Sequence, residues 1–319
     1  MKSKKIQPIT KKVAQNNRWI ILIILGLLLV AGILVVKLFP ITKFVAPAVD
    51  PLSIYTHPPI PQVTKEAPPS LLAQSYVLVD NTTNTILLSK NIHSRIYPAS
   101  TTKLATALTA LNIYPLDEVV SIGSTYAEGK VMELKPGEKI TVRSLVTALL
   151  VYSANDSAYN LALNHQDGVP GFVKEMNLIA KKYNLNDTNF VNFDGIHSPS
   201  HYSSVYDLSQ LGRIAIKNPV IRETVKNKKI TVTDISGKII HSLDSTNELL
   251  GVIPEIQGLK TGWTPEAGGC FVSLINIGGH EMIGVVAQSD ERFIDTQKII
   301  SWAKENITWL PYTQSVNTP

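Results

Sequence analysis

Residues Trp19 to Val36 read W-I-I-L-I-I-L-G-L-L-L-V-A-G-I-L-V-V, an apolar run without a single charge. At ~1.5 Å of rise per residue it is just long enough to cross a bilayer as a helix. Before it stand Lys2, Lys4, Lys5, Lys11, Lys12 and Arg18, with no acidic residue among them. Cations flanking a span stay in the cytoplasm. The sequence therefore predicts a cytoplasmic basic tail over 1–18, a transmembrane signal anchor over 19–38, and everything after it outside the cell membrane. A cleavable signal peptide is the competing reading, but its apolar core is usually ~7 to 15 residues and a small-x-small site follows closely. Here the triplet Ala46-Pro47-Ala48 comes several residues too late and carries proline at its centre. A retained anchor fits better.

The net charge of +5 belongs largely to that tail. With the six cations set aside the rest of the chain is close to neutral, so the basic balance gives no reason to expect a nucleic-acid partner. One cysteine, Cys270, excludes an intramolecular disulfide, although the far side of a membrane is often oxidising. Its surroundings carry no basic cluster, which favours a small buried apolar residue over a reactive thiol.

From Pro40 to Pro69 prolines recur without sustained periodicity, so 39–70 reads as a semi-extended linker. At ~3.1 Å per residue it reaches roughly 90 Å. A folded domain is expected over 71–306, followed by a tail over 307–319. S-Y-V-L-V-D and N-T-I-L-L-S-K flank the polar turn Asn81 to Asn84 as a hairpin. Apolar spacing then predicts helices over 100–112, 142–150, 156–164, 171–183 and 205–216. Strands return as K-K-I-T-V-T-D and K-I-I-H-S-L, then G-C-F-V-S-L-I-N-I and E-M-I-G-V-V-A-Q, before a last helix from Arg292 to Asn306. Strands, a helical block, strands and a final helix spell an α+β fold, with early and late strands sharing one antiparallel sheet.

Within this frame P-A-S-T-T-K, Pro98 to Lys103, places a cation in the first turn of a helix, where the helix dipole disfavours it. Ser100 and Lys103 are three apart and share a helix face. A serine hydroxyl needs an adjacent base, and burial near a helix N-terminus makes a lysine easier to deprotonate. Backbone N–H groups of the same turn can stabilise an oxyanion. Alone the pattern is weak, since Ser301 to Lys304 repeats S-x-x-K inside the last helix with nothing around it that suggests chemistry. Two companions in order strengthen the first copy. They are S-A-N at Ser153 to Asn155 and K-T-G at Lys260 to Gly262.

S-x-x-K, S-x-N and K-T-G in that order resemble the active-site serine penicillin-binding proteins and serine β-lactamases. The surroundings P-A-S-T-T-K-L-A-T-A-L, L-L-V-Y-S-A-N-D-S-A, S-T-N-E-L-L and G-L-K-T-G-W-T-P-E-A-G-G-C are most similar to the low-molecular-weight D-alanyl-D-alanine carboxypeptidases. That resemblance implies a β-lactamase/DD-peptidase-like fold, an antiparallel sheet packed against helices with a helical subdomain. It implies peptidoglycan stem peptides ending in D-Ala-D-Ala as substrate, β-lactams as covalent inhibitors, and neither cofactor nor metal. Ser100 would be the nucleophile, Lys103 its base and Ser153 a proton relay. Asn155 would hold the substrate amide. Lys260, Thr261 and Arg292 would take the terminal carboxylate, Gly262 would admit the peptide close to the backbone, and the N–H groups of Ser100 and Trp263 would form the oxyanion hole. Ser245-Thr246-Asn247 also spells S-x-N but follows the helical block, so the role falls to Ser153.

Other readings remain open at this level: an endopeptidase cutting crosslinks between stem peptides, a β-lactamase, or an inactive wall-binding module. The water-activating E-x-x-L-N pattern of class A β-lactamases is absent, and N-F-D-G-I-H-S-P-S-H stands in its region. A zinc peptidase is disfavoured, because Pro199 separates His197 from His201 and no H-E-x-x-H occurs.

Overall fold

The computed structural model describes residues 58–64 and 67–310, together with 22–23 and 25–27. Those last five are helical. The rest of the expected span 19–38, the basic tail 1–18, most of the linker and residues 311–319 lie outside the described residues. Among the described residues no helix is long and apolar enough to cross a membrane.

The folded unit is built on five antiparallel strands: β2 (Ser75–Asp80), β3 (Ile86–Lys90), β8 (Ile256–Thr264), β9 (Gly268–Ile277) and β10 (His280–Ser289). They lie in the order β3-β2-β10-β9-β8, so the first hairpin and the late strands do share a sheet and β8 forms one edge. Along β2 successive residues face opposite sides. Val77 and Val79 join one core with Val272, Leu274, Ile283 and Val285 from β9 and β10. Tyr76 and Leu78 join a second core with Phe271, Ile275, Met282 and Val286. Both faces are covered, which is why all six residues of β2 are buried.

The first core is completed by α1 (Lys103–Ile113), α2 (Val142–Val151), α3 (Asn155–Leu163), α4 (Gly168–Lys182) and α5 (Val205–Ala215). The second is closed by α7 (Arg292–Asn306) through Ile299, Ile300, Trp302 and Ala303. A short α6 (Pro219–Thr224), capped by the Asn218 side chain, and two small hairpins complete this unit: β4 (Val119–Ser121) with β5 (Lys139–Thr141), and β6 (Lys229–Thr233) with β7 (Ile240–Asp244).

The boundaries differ from expectation at both ends. β1 (Ile60–Val63), inside the stretch read as linker, pairs antiparallel with β11 (Ile307–Leu310), inside the stretch read as tail. Strands of four residues are too short to show alternation in a sequence, and Pro61 is tolerated because an edge strand need not donate every N–H. The folded unit thus starts before residue 71 and continues beyond 306.

Candidate active site

The helix expected from Ser100 begins later. Ala99–Thr102 form a turn of 3₁₀ helix and α1 starts at Lys103. Ser100 caps nothing, and Thr101 Oγ1 donates to Pro98 O at 2.6 Å instead. Its hydroxyl is therefore free for Lys103, whose Nζ lies 3.0 Å from Ser100 Oγ and 2.8 Å from the main-chain oxygen of Asp194. Lys103 is fully buried. Burial brings its ammonium down to about 8, against the opposing pull of Asp194. Below that value the amine is mostly charged, and above it the nitrogen can accept the serine proton. Acylation of Ser100 by a penicillin is accordingly expected to rise with pH through a limb near 8, measured as the labelling rate across pH 6 to 10.

The turn is held in place by two glycines. Gly195 has φ +87°, and a Cβ there would fall 1.8 Å from Ala99 O. A Cβ at Gly262 would lie 2.8 Å from Ser100 N and 3.0 Å from Thr101 N. The sequence reading gave Gly262 the task of admitting the substrate. In the fold its bareness lets the β8 edge press against the nucleophile turn.

Ser100, Ser153, Asn155, Thr261, Gly262, Trp263 and Arg292 all line one cleft of about 260 Å³. Ser153 reaches it with a left-handed backbone, φ 71°, a conformation a side chain adopts only when its surroundings enforce it. Asn155 Nδ2 donates to Glu128 O at 2.8 Å and its N–H to Lys130 O at 2.7 Å, which leaves its Oδ1 for a ligand. Arg292 Nε is buried without a partner among the described residues.

Lys260 departs from expectation. Only 1% exposed, it donates from Nζ to Thr261 O at 2.9 Å and does not line the cleft. Burial, then Lys103, Lys130 and Arg292, hold its ammonium well below the usual lysine range. Thr261 and Arg292, beside it, do line the cleft.

Several cleft residues carried no sequence signal. Thr246, the middle of the discounted S-x-N, lines the cleft, and its Oγ1 lies 2.7 Å from Thr261 Oγ1. Gly129, Lys130 and Ile196 do so from loops. The second S-x-x-K is structural: Lys304 Nζ pairs with Glu255 Oε1 at 2.7 Å, away from Ser301.

Among the described residues no group of three or more His, Cys, Asp or Glu is placed to hold a metal ion. His201 is buried, its Nδ1 accepting from Val191 N at 3.1 Å, so Nε2 carries the proton and donates to Thr102 Oγ1 at 2.8 Å. Neither nitrogen keeps a free lone pair. Burial and then the Lys103 charge bring its imidazolium down to about 4. Cys270 is buried as expected, and burial pushes its thiol up to about 11.

Residues 62–291 match the peptidase family described as D-alanyl-D-alanine carboxypeptidase. The chain belongs to this D-alanyl-D-alanine carboxypeptidase family. Its similarity to the carboxypeptidase DacD of Escherichia coli is 33% identity over 259 residues, 76% of this chain and 65% of that protein. The chain thus spans just under two thirds of that relative's length. A Streptomyces D-alanyl-D-alanine carboxypeptidase is 33% identical over 266 residues, 76% of this chain and 90% of that one. Among solved structures, a Streptomyces DD-transpeptidase superposes with a TM-score of 0.70 at 32% identity, covering 74% of this chain and 98% of that one. A penicillin-binding protein homologue from Mycobacterium tuberculosis gives 0.70 at 28% identity, covering 76% and 95%. The fold is the α+β penicillin-binding/DD-peptidase fold of this carboxypeptidase family.

Proposed function

We propose that the chain is a serine-type D-Ala-D-Ala carboxypeptidase acting on peptidoglycan stem peptides, tethered to the bacterial cell membrane through residues 19–38 with its catalytic unit outside. The observation that carries this reading is the buried Lys103 Nζ 3.0 Å from Ser100 Oγ, at the floor of a cleft that also holds Ser153, Asn155 and Thr261.

Lys103 takes the proton of Ser100 as Oγ attacks the carbonyl of the penultimate D-Ala. The oxyanion forms against the N–H groups of Ser100 and Trp263. Ser153 relays the proton that Lys103 took from Ser100 to the departing nitrogen, so D-Ala leaves with a neutral amine, Lys103 is a free base again and an ester to Ser100 remains. Asn155 Oδ1 accepts from the substrate amide. The terminal carboxylate meets Thr261 and Arg292, with Lys260 Nζ holding Thr261 O behind them. Water then resolves the ester. Among the described residues no carboxylate side chain lines the cleft to activate that water in the manner of a class A β-lactamase, which supports a long-lived penicilloyl-enzyme over β-lactam hydrolysis.

The test is to incubate the full chain in detergent with fluorescent penicillin and, separately, with defined stem pentapeptides and crosslinked dimers, followed by mass spectrometry. Covalent labelling that disappears in Ser100→Ala, with loss of one D-Ala from the pentapeptide, is the expected result. Cleavage of dimers alone would make it an endopeptidase, and rapid release of the label a β-lactamase. Absence of labelling would leave a wall-binding module. Including a glycine acceptor distinguishes hydrolysis from transfer, a relevant arm because the superposed Streptomyces enzyme is described as a transpeptidase.

A further inference from the structure

The carboxylate of Asp194 is 2% exposed and yet fully engaged. Oδ2 accepts from the Tyr126 hydroxyl at 2.7 Å and Oδ1 from Ile196 N at 3.1 Å. The same residue's main-chain oxygen accepts from Lys103 Nζ. Tyr126 comes from the loop between β4 and β5, Asp194 from the loop between α4 and α5, and their contact joins two elements that border the cleft. Tyr126 is itself fixed by stacking on Tyr159, with ring centroids 4.9 Å apart, and by an edge-on contact with Phe193 at 5.6 Å.

We propose that Asp194, anchored by Tyr126, is a positioning residue for the Ser100 acylation step: its carbonyl aims Lys103 at Ser100, and its carboxylate is the counter-charge of the Lys103 ammonium. This rests on the function proposed above. The groups facing Lys103 leave Asp194 as its counter-charge. Ser100 on the 3₁₀ turn is neutral, and His201, from the same loop as Asp194, is neutral because burial brings it down to about 4. Lys260 on β8 is a second amine, held down by burial and by Lys103 itself, and Lys130 and Arg292 lie beyond it. Among the described residues Asp194 is the one carboxylate that raises the proton affinity of Lys103, in opposition to burial. The Tyr126 hydroxyl hydrogen bond holds that carboxylate in place.

Removing the carboxylate charge while keeping the main-chain oxygen leaves burial unopposed, so Lys103 loses its proton at lower pH. In Asp194→Asn the acylation limb should move down by about one pH unit, the lower end of what a nearby counter-charge supplies. One unit below the wild-type limb, labelling becomes several-fold faster, while the plateau above it falls because a weaker base drives proton transfer less well. Tyr126→Phe keeps both ring contacts and removes only the hydroxyl. Without that hydroxyl the carboxylate loses the donor that holds it in place, and its charge is no longer fixed near Lys103. Its limb should move the same way by a smaller amount.

The experiment is the labelling rate of the full chain in detergent with fluorescent penicillin from pH 5.5 to 10, for wild type, Asp194→Asn, Asp194→Glu and Tyr126→Phe, with melting temperatures in parallel. A downward shift in Asp194→Asn with the wild-type limb retained in Asp194→Glu supports the pairing. An unchanged limb in a folded Asp194→Asn overturns it, even if the plateau drops, because packing alone does not move a titration. Should Asp194→Asn fail to fold, an unchanged limb in Tyr126→Phe overturns it equally. A wild type that takes no label at any pH would instead refute the acyl-enzyme reading beneath it.

Discussion

Lys103→Arg is expected to slow acylation by fluorescent penicillin on the order of 10²- to 10⁴-fold and to abolish the pH limb near 8. The substitution keeps the positive charge and removes the base, since a guanidinium holds its proton across the accessible range. A positioned general base contributes about 10²- to 10⁴-fold to a proton-transfer step, and this is the amount placed at risk. Lys103 has no alternative role as a surface cation, because it is fully buried with Nζ committed to Ser100 Oγ and Asp194 O. Lys103→Gln complements the test by removing charge and base together. Both variants should label poorly at every pH from 6 to 10, with Ser100 still present. An arginine variant that labels within tenfold of wild type at pH 8 would show that the proton goes elsewhere.

Much of this site could be read from letters because each motif carries its own chemistry. Ser100 and Lys103 are three apart on one turn, and the fold only had to bury the lysine. The sequence reading ascribed the low proton affinity to burial and the helix end together, and burial is the dominant cause in the structure. Ser153 and Asn155 at the start of α3, and Thr261 to Trp263 on the β8 edge, meet because α2, α3 and β8 pack on the same core. Their order in the chain foretold this. The apolar runs of β2, β9 and β10 likewise made a shared antiparallel sheet legible, whereas β8 was not among the strands expected from the apolar pattern and β6 and β7, which were, pair apart from that sheet.

What stayed hidden depends on loops and on contacts distant in sequence. Thr246 has no periodic neighbours and gains meaning only from Thr261 Oγ1 at 2.7 Å. Asp194 and Tyr126 lie 68 positions apart, so their hydrogen bond has no local trace. Lys260 looked like a ligand-binding cation because the motif names it. Only the packing reveals that it is buried, with Nζ donating to Thr261 O. The β1–β11 pair escaped for a different reason, since proline-rich composition and four-residue strands mimic a linker.

Two glycine substitutions separate backbone strain from damage to the nucleophile, and Gly195→Ala should be the more severe by at least 10²-fold in acylation rate. Gly195 and Gly237 both have positive φ, +87° and +70°, so an alanine at either carries the conformational penalty of the left-handed region, about 1 kcal/mol. Their surroundings differ. Nothing lies within 4 Å of a Cβ at Gly237, whereas one at Gly195 would meet Ala99 O at 1.8 Å and Thr102 Oγ1 at 2.9 Å. Ala99 is already left-handed at φ 47°, with Ser100 next to it. A backbone carbonyl must therefore move by more than 1 Å, and a displacement of that size at reacting atoms costs about 10²-fold. The comparison is made on labelling rate and melting temperature together. Gly237→Ala should melt slightly lower and label at the wild-type rate. Gly195→Ala should lose labelling even at temperatures where it remains folded. Were Gly195→Ala to label within a few-fold of wild type, the close approach of the Asn192–Ile196 loop to the Ser100 turn would not be what holds the nucleophile in place.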